Sequence, residues 1–426
     1  MKNVDVKGLK NLFDLSKGYF LTTIINQSLP FLLLPVLTRY LTTAEYGQLS
    51  LFSFYLLLCH AIIGAAMPTV ISKYFFERDK NEIAKLIGNC IYTTLFGGVI
   101  VGLLLTICYS WLKPYVLVPL SYLLLLPMGA VYMIIFAIGL NICKNTRKVL
   151  HFSCHQIGNT TLNVGFSLLT VCVFYWGWLG RFSSICTAYV VSSIIMLFYL
   201  KANGYLCFSY SGELQKEIRE VMFPLIPNSV QLILISQAGL FFMQLYFDED
   251  ILGKYAMAFQ ISSCVKLLTE TLNMSWTPFL FQQLSKGDGI NKVYLTRCLL
   301  VLIALLFLGL IVINVFAYPI LWAMTTPDYY TSVEFIPWFT FGFLLLGINT
   351  FIKPILIKYN QQKFIGKNSF FAMLFMLLVN IVFAKLFGYK GIVYAFCLVY
   401  FILAIPQIIR AQKVYPLPWI KAIRIW

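Results

Sequence analysis

Ionisable side chains are rare inside the long apolar runs of this chain, and the few present are the residues able to do chemistry there. Lys266 and Glu270 stand four residues apart, a spacing that sets both on one face of a helix and allows an ion pair. The pair lies 12 residues after Lys254 and 16 before Lys286. At 1.5 Å per residue, Lys266 is then roughly 18 Å from the outer flank, too deep for easy snorkelling. A charge at mid-membrane costs about 2.5–3.5 kcal/mol on insertion scales, so the pair either neutralises itself against neighbouring helices or lines a wet cavity. His60, 13 residues from both Gly47 and Lys73, can change charge near physiological pH or serve as hydrogen-bonded packing. Lys353 precedes Pro354 and stands five residues before Lys358, close enough to snorkel to the interface or to meet an anion inside. Arg39 can receive an anion or anchor the end of the first helix. Asn26, Gln27, Asn228, Gln231, Gln237 and Asn349 can hydrogen-bond a sugar or hold helices together.

The elements that must position these groups follow from composition. Of 426 residues, 60% are hydrophobic and only 11% charged, against roughly 25% charged in a soluble domain, which excludes a soluble enzyme. Twelve runs of membrane-spanning length occur, near 18–38, 48–71, 87–112, 120–142, 153–175, 182–200, 221–246, 253–281, 298–320, 333–357, 368–387 and 391–410. The fold class is therefore an all-α polytopic membrane protein with twelve transmembrane helices. The net charge of +16 has a topological reading. With the N-terminus inside, 24 of the 32 Lys and Arg fall in inside segments and 6 in outside ones. That bias orients both termini to the cytoplasm and removes most of the need for a nucleic-acid partner. The eleven cysteines form no CxxC pair and read as small buried hydrophobes. The first apolar run is long and lacks a small-residue cleavage site, so it is expected to remain as a helix.

The two halves echo one another. Tyr40-Leu41 with Gly47 recurs as Tyr246-Phe247 with Gly253, Lys85 as Lys292, Pro127 as Pro337, and Gly177-Trp-Leu-Gly180 as Gly388-Tyr-Lys-Gly391. The offset grows from 206 to 211, close to half the chain. A duplicated six-helix unit gives two bundles, 1–210 and 211–426, related by a pseudo-twofold axis along the membrane normal, with a substrate path expected at the seam. An offset of 206 also sets His60 on Lys266. Pro30 and Pro35 interrupt the first helix, and Pro224 and Pro227 the seventh, marking both as path-lining or simply kinked.

No GxxxxGK[ST] loop, metal-ligand cluster or nucleophile–base arrangement occurs, so neither direct ATP use nor any cofactor is expected. No outer loop exceeds about a dozen residues, which argues against a membrane transferase with an external catalytic loop.

The stretch Leu33-Leu-Pro-Val-Leu-Thr-Arg-Tyr-Leu-Thr-Thr-Ala-Glu-Tyr-Gly47 resembles the opening signature of the Wzx-type polysaccharide flippases, a branch of the multidrug/oligosaccharidyl-lipid/polysaccharide exporter superfamily. Phe223-Pro-Leu-Ile-Pro-Asn-Ser229, Gly253-Lys-Tyr-Ala256 and Trp276-Thr-Pro-Phe279 look like further motifs of that family, and these matches recur at the appropriate places along the chain. The resemblance implies two bundles working by alternating access in the bacterial inner membrane. The implied cargo is an undecaprenyl-diphosphate-linked oligosaccharide carried to the periplasmic leaflet for O-antigen or capsule assembly, with the polymerase machinery as a neighbour. On that reading Lys266, Lys353 and Arg39 meet the diphosphate, Asn228 and Gln27 meet sugar, and Glu270 and His60 exchange coupling protons, although no matched motif assigns those two. The alternative is a drug or small-cation antiporter of the same superfamily, which would want more acidic than basic residues in its cleft.

Overall fold

The computed structural model describes residues 22, 25, 26, 28, 31–113, 119–284 and 292–423. No strand occurs among them, as expected where lipid forces each segment to satisfy its own backbone. The first unit begins with α1 (Phe31–Tyr40), α2 (Thr43–Ile63), α3 (Met67–Tyr74), α4 (Lys80–Leu112) and α5 (Leu120–Asn145). There follow α6 (Val149–Ser167), which runs into a π-helical turn at Leu168–Val173, then α7 (Gly177–Ala202) and α8 (Gly212–Tyr246). The remainder is α9 (Glu249–Leu284), α10 (Lys292–Val315), α11 (Ala317–Met324), a 3₁₀ turn at Pro327–Glu334, α12 (Ile336–Lys358), α13 (Gln362–Phe387), α14 (Tyr389–Val414) and α15 (Trp419–Ile423).

Nine of these helices, counting α2 and α3 as one, are long and apolar enough to cross a membrane among the described residues. Two more, α6 and α9, are long enough but too polar to qualify, and α1 is shorter. These twelve stretches follow, in order, the twelve runs legible in the sequence, although much of 18–38 lies outside the described residues.

Three helix boundaries differ from expectation. The run 48–71 is broken at Gly64–Ala66, where the N–H groups of Gly64 and Ala65 both donate to the His60 carbonyl, at 3.1 and 2.9 Å. Pro68 then takes a first-turn position in α3, where its missing N–H costs nothing. The run 298–320 likewise ends at Val315 before α11 begins. Conversely, Pro224 and Pro227 do not interrupt the seventh span: α8 runs unbroken for 35 residues with both prolines inside. The carbonyls that lose a donor, those of Glu220 and Phe223, belong to exposed residues, so a bend opening that face leaves them unburied.

The chain divides into two compact units, one holding residues up to Leu41 and Leu49–Ile233, the other Thr42–Gln48 and Leu234–Trp426. The division runs through α8, not through the loop before it. In the first unit α5 packs against α7, α6, α4 and α3, with Phe52, Ile134 and Phe182 sealed in its core. The start of α8 is tied to α4 by Asn89, which donates to the Ser209 carbonyl at 2.8 Å and accepts from the Ser211 N–H at 3.1 Å. In the second unit α12 packs against α14, α9 and α10, and Phe339, Phe343 and Phe396 meet edge-on at its centre. Burial of the spans repeats between the units. The fourth and tenth runs, α5 and α12, are each 61% buried, while the third and ninth, α4 and α10, are 22% and 11% buried. The same helix of each half is thus the core and the same helix faces outward, which is how a duplicated sequence should pack.

The repeated glycine turn has a structural counterpart. Gly177 and Gly388 both take left-handed backbone, at φ 58° and 61°, a conformation with no steric penalty for glycine. Three residues on, a Cβ on Gly180 would meet the Thr170 carbonyl, and one on Gly391 would meet the Phe383 carbonyl.

Candidate functional site

Helices α6 and α9 are the two long spans less apolar than the other nine among the described residues, and one belongs to each unit. In α9 the polar residues are ordered. Ser263, Lys266, Glu270, Asn273 and Thr277 follow at alternating spacings of three and four, so they form one ribbon along the helix, and all five are half-buried. The adjacent face carries Ser262, Val265, Thr269, Trp276 and Leu280, all buried. Trp276 anchors that face by donating its Nε1–H to the Phe351 carbonyl at 2.8 Å, and Gly347 of α12 leaves room for Thr269.

Within the ribbon Lys266 Nζ lies 3.8 Å from Glu270 Oε1, and the two side chains are 39% and 41% exposed. The pair is therefore loose and accessible. An ammonium held at that distance can exchange its carboxylate for another anion without first being dug out of a packed core, which is the chemistry a transient anionic ligand needs.

The other expected residues are scattered. Lys353 is partly buried in α12, with no hydrogen bond or ion pair among the described residues, and Asn349 one turn earlier is 5% exposed with its Oδ1 unpartnered. His60 is half-buried one turn before the break between α2 and α3. Arg39 is exposed at the end of α1, and Asn228 is exposed on α8. Gln27 lies outside the described residues. Asn26 accepts a hydrogen bond from Thr160 Oγ1 of α6, so its observed use is to join helices. Lys266, Glu270 and Lys353 belong to one unit and His60, Arg39 and Asn228 to the other, and only Lys266 and Glu270 are brought into contact.

Sequence reasoning missed the polar interior of the first unit. Arg181, which immediately precedes the sequence run 182–200 and so counts among the six outside cations, lies in α7, is 9% exposed, and donates to Asn163 Oδ1 at 2.5 Å and Ser167 Oγ at 2.7 Å. Asn159 accepts from Ser192 Oγ at 3.0 Å on the same seam between α6 and α7. His151 and His155 both pack on the ring of Tyr199. The signal was present: His151, His155, Asn159, Asn163 and Ser167 repeat every four residues, one polar ridge on a helix. Of the cysteines, all are free; five are buried, three half-buried and Cys108, Cys154 and Cys207 exposed.

A family model described as "Polysaccharide biosynthesis protein" matches residues 18–284, more than half of the chain. The chain belongs to that family. It is 23% identical over 374 residues to a protein of the Lsg locus of Haemophilus influenzae, covering 84% of this chain and 86% of that one. Among solved structures, the fold is similar to the lipid II flippase MurJ in an inward closed conformation, with TM-score 0.72, 14% identity and coverage of 92% and 87%. It is also similar to an inward-facing multidrug resistance MATE family transporter of the MOP superfamily, with TM-score 0.71, 15% identity and coverage of 91% and 95%. At these identities the structural likeness establishes the fold alone: an all-α multi-pass membrane fold of twelve spans in two six-helix bundles.

Proposed function

We propose that the chain is a flippase for a lipid-linked glycan. Its cargo would be an undecaprenyl-diphosphate-linked oligosaccharide, moved from the cytoplasmic to the periplasmic leaflet of the bacterial inner membrane by alternating access, with both termini cytoplasmic. The observation that carries this reading is the accessible Lys266–Glu270 pair on α9, one of the two least apolar long spans among the described residues. A diphosphate cannot cross hydrocarbon bare, and a cation in a wet path replaces part of its hydration. Membership of a polysaccharide biosynthesis family supports a glycan cargo, and the transporter-like fold supports movement over chemistry.

In this mechanism Lys266 leaves Glu270 for the phosphate, Lys353 and Arg39 offer further charge, and Asn228 and Gln27 contact sugar. Glu270 and His60 exchange the coupling protons. The likeness to a multidrug transporter keeps a drug or small-cation antiporter as the second reading. Glu270 is the one acid deep within a described span, however, where such cargo would want several.

The test is Lys266→Glu in cells that depend on the chain. Surface glycan should fall by at least about tenfold while the protein still inserts, and the lipid-linked intermediate should accumulate on the cytoplasmic side. Undiminished export removes Lys266 from the path.

A further inference from the structure

The turn between α5 and α6 gathers positive charge that no carboxylate pairs with among the described residues. Residues 83–212 contain no Asp or Glu at all, yet they carry seven Lys and Arg and two of the three histidines. Five of these groups fall within twelve residues of the chain. Lys144 stands in the last turn of α5, Arg147 and Lys148 form the turn, and His151 and His155 occupy successive turns of one face of α6.

Tyr199 of α7 collects three of them. Its ring centroid lies 5.4 Å from that of His151, 5.0 Å from that of His155 and 5.8 Å from Lys148 Nζ. Lys148 Nζ also donates to Asn203 Oδ1 at 3.0 Å, and Lys144 Nζ lies 5.0 Å from the Phe152 ring centroid. Every partner is neutral, and no carboxylate pairs with any of the five groups among the described residues.

Topology explains only part of this. The bias that orients membrane helices counts Lys and Arg in short loops and is nearly indifferent to acids. It requires neither 130 residues without a carboxylate nor two imidazoles held on one aromatic ring. Fixed ammonium groups beside titratable N–H donors make a receptor for an anion with several oxygens, and charge-assisted hydrogen bonds to phosphate are the strongest such contacts. We propose that Lys148, His151 and His155, gathered on Tyr199, form with Lys144 of the same turn a binding site for a phosphate group borne on a lipid. The site stands on its own charge and geometry. Only the identification of that lipid as the flippase cargo rests on the function proposed above.

Three histidines in the whole chain make the test direct. The full-length protein, labelled with ¹⁵N-histidine in phosphatidylcholine nanodiscs, is titrated with inorganic pyrophosphate at constant pH. The signals of His151 and His155 should move and that of His60 should not. Lys144→Gln with Lys148→Gln should weaken the response at least about tenfold, while Lys390→Gln, whose lysine pairs with Glu334 at 2.9 Å, should leave it unchanged.

A second set of nanodiscs contains phosphatidylglycerol and no pyrophosphate. The same shifts there assign the site to a bilayer phospholipid; shifts with pyrophosphate alone assign it to a diphosphate head. Unmoved His151 and His155 signals in both arms, or an unchanged response in the Lys144→Gln, Lys148→Gln protein, overturn the site. Pyrophosphate binding together with intact export by Lys266→Glu would overturn the proposed route for the cargo and leave this site standing.

Discussion

Neutralising both members of the Lys266–Glu270 pair, with Lys266→Met and Glu270→Gln, asks what the ribbon on α9 faces. The charges are 3.8 Å apart with side chains 39% and 41% exposed. At the dielectric constant of water they attract by about 1 kcal/mol. Side-chain entropy and screening at such exposure bring the net contribution to about 0.2–1 kcal/mol. In a wet path the double variant should therefore stay within about 1 kcal/mol of the parent, while transport is lost. Facing hydrocarbon, each charge would instead cost about 2.5–3.5 kcal/mol, and removing both would stabilise the protein by several kcal/mol. The assay is chemical unfolding of the parent, both single variants and the double variant in one detergent, beside accumulation of the lipid-linked intermediate in cells. A double variant stabilised by more than about 3 kcal/mol would refute the wet-path argument.

Two further substitutions test the packing that holds the spans. A side chain on Gly253 would overlap the Thr43 carbonyl, so Gly253→Val should destabilise by about 1–3 kcal/mol. At Gly366, where nothing lies within 4 Å, Gly366→Ala should gain about 0.5–1 kcal/mol from helix propensity; thermal unfolding of both checks the sign. Asn89 is fully buried between Ser209, Ser211 and Gln215, so Asn89→Ala should cost about 1–3 kcal/mol. Hydrogen exchange should then rise first in residues 203–215, and unchanged exchange there would contradict the tie between α4 and α8.

Much of the fold was legible because a bilayer acts locally on sequence. Each span must be about twenty apolar residues long, and the ordered matches between the halves foretold which helices would play equivalent parts. The Gly177 and Gly388 turns, and the equal burial of α5 and α12, bear out that duplicated pattern. The candidate site was less legible. Spacing alone set Lys266 and Glu270 on one face, and they do meet, but the same reasoning read Asn26 as open to sugar or glue, and it is hydrogen-bonded to Thr160. Arg181 looked like a loop residue because it follows a glycine turn, yet Asn163 and Ser167 on α6 make a buried place for its guanidinium.

Length, apolar periodicity and charge distribution by themselves determined that this chain is helical, membrane-embedded and built from two related halves. Tertiary structure decided where helices break, at Gly64–Ala66 but not at Pro224 or Pro227, and which polar groups are spent on neighbouring helices. The reason is physical. Whether a segment enters a bilayer depends on its own summed transfer free energy, whereas the fate of a polar side chain depends on which partner its neighbours bring within hydrogen-bonding distance.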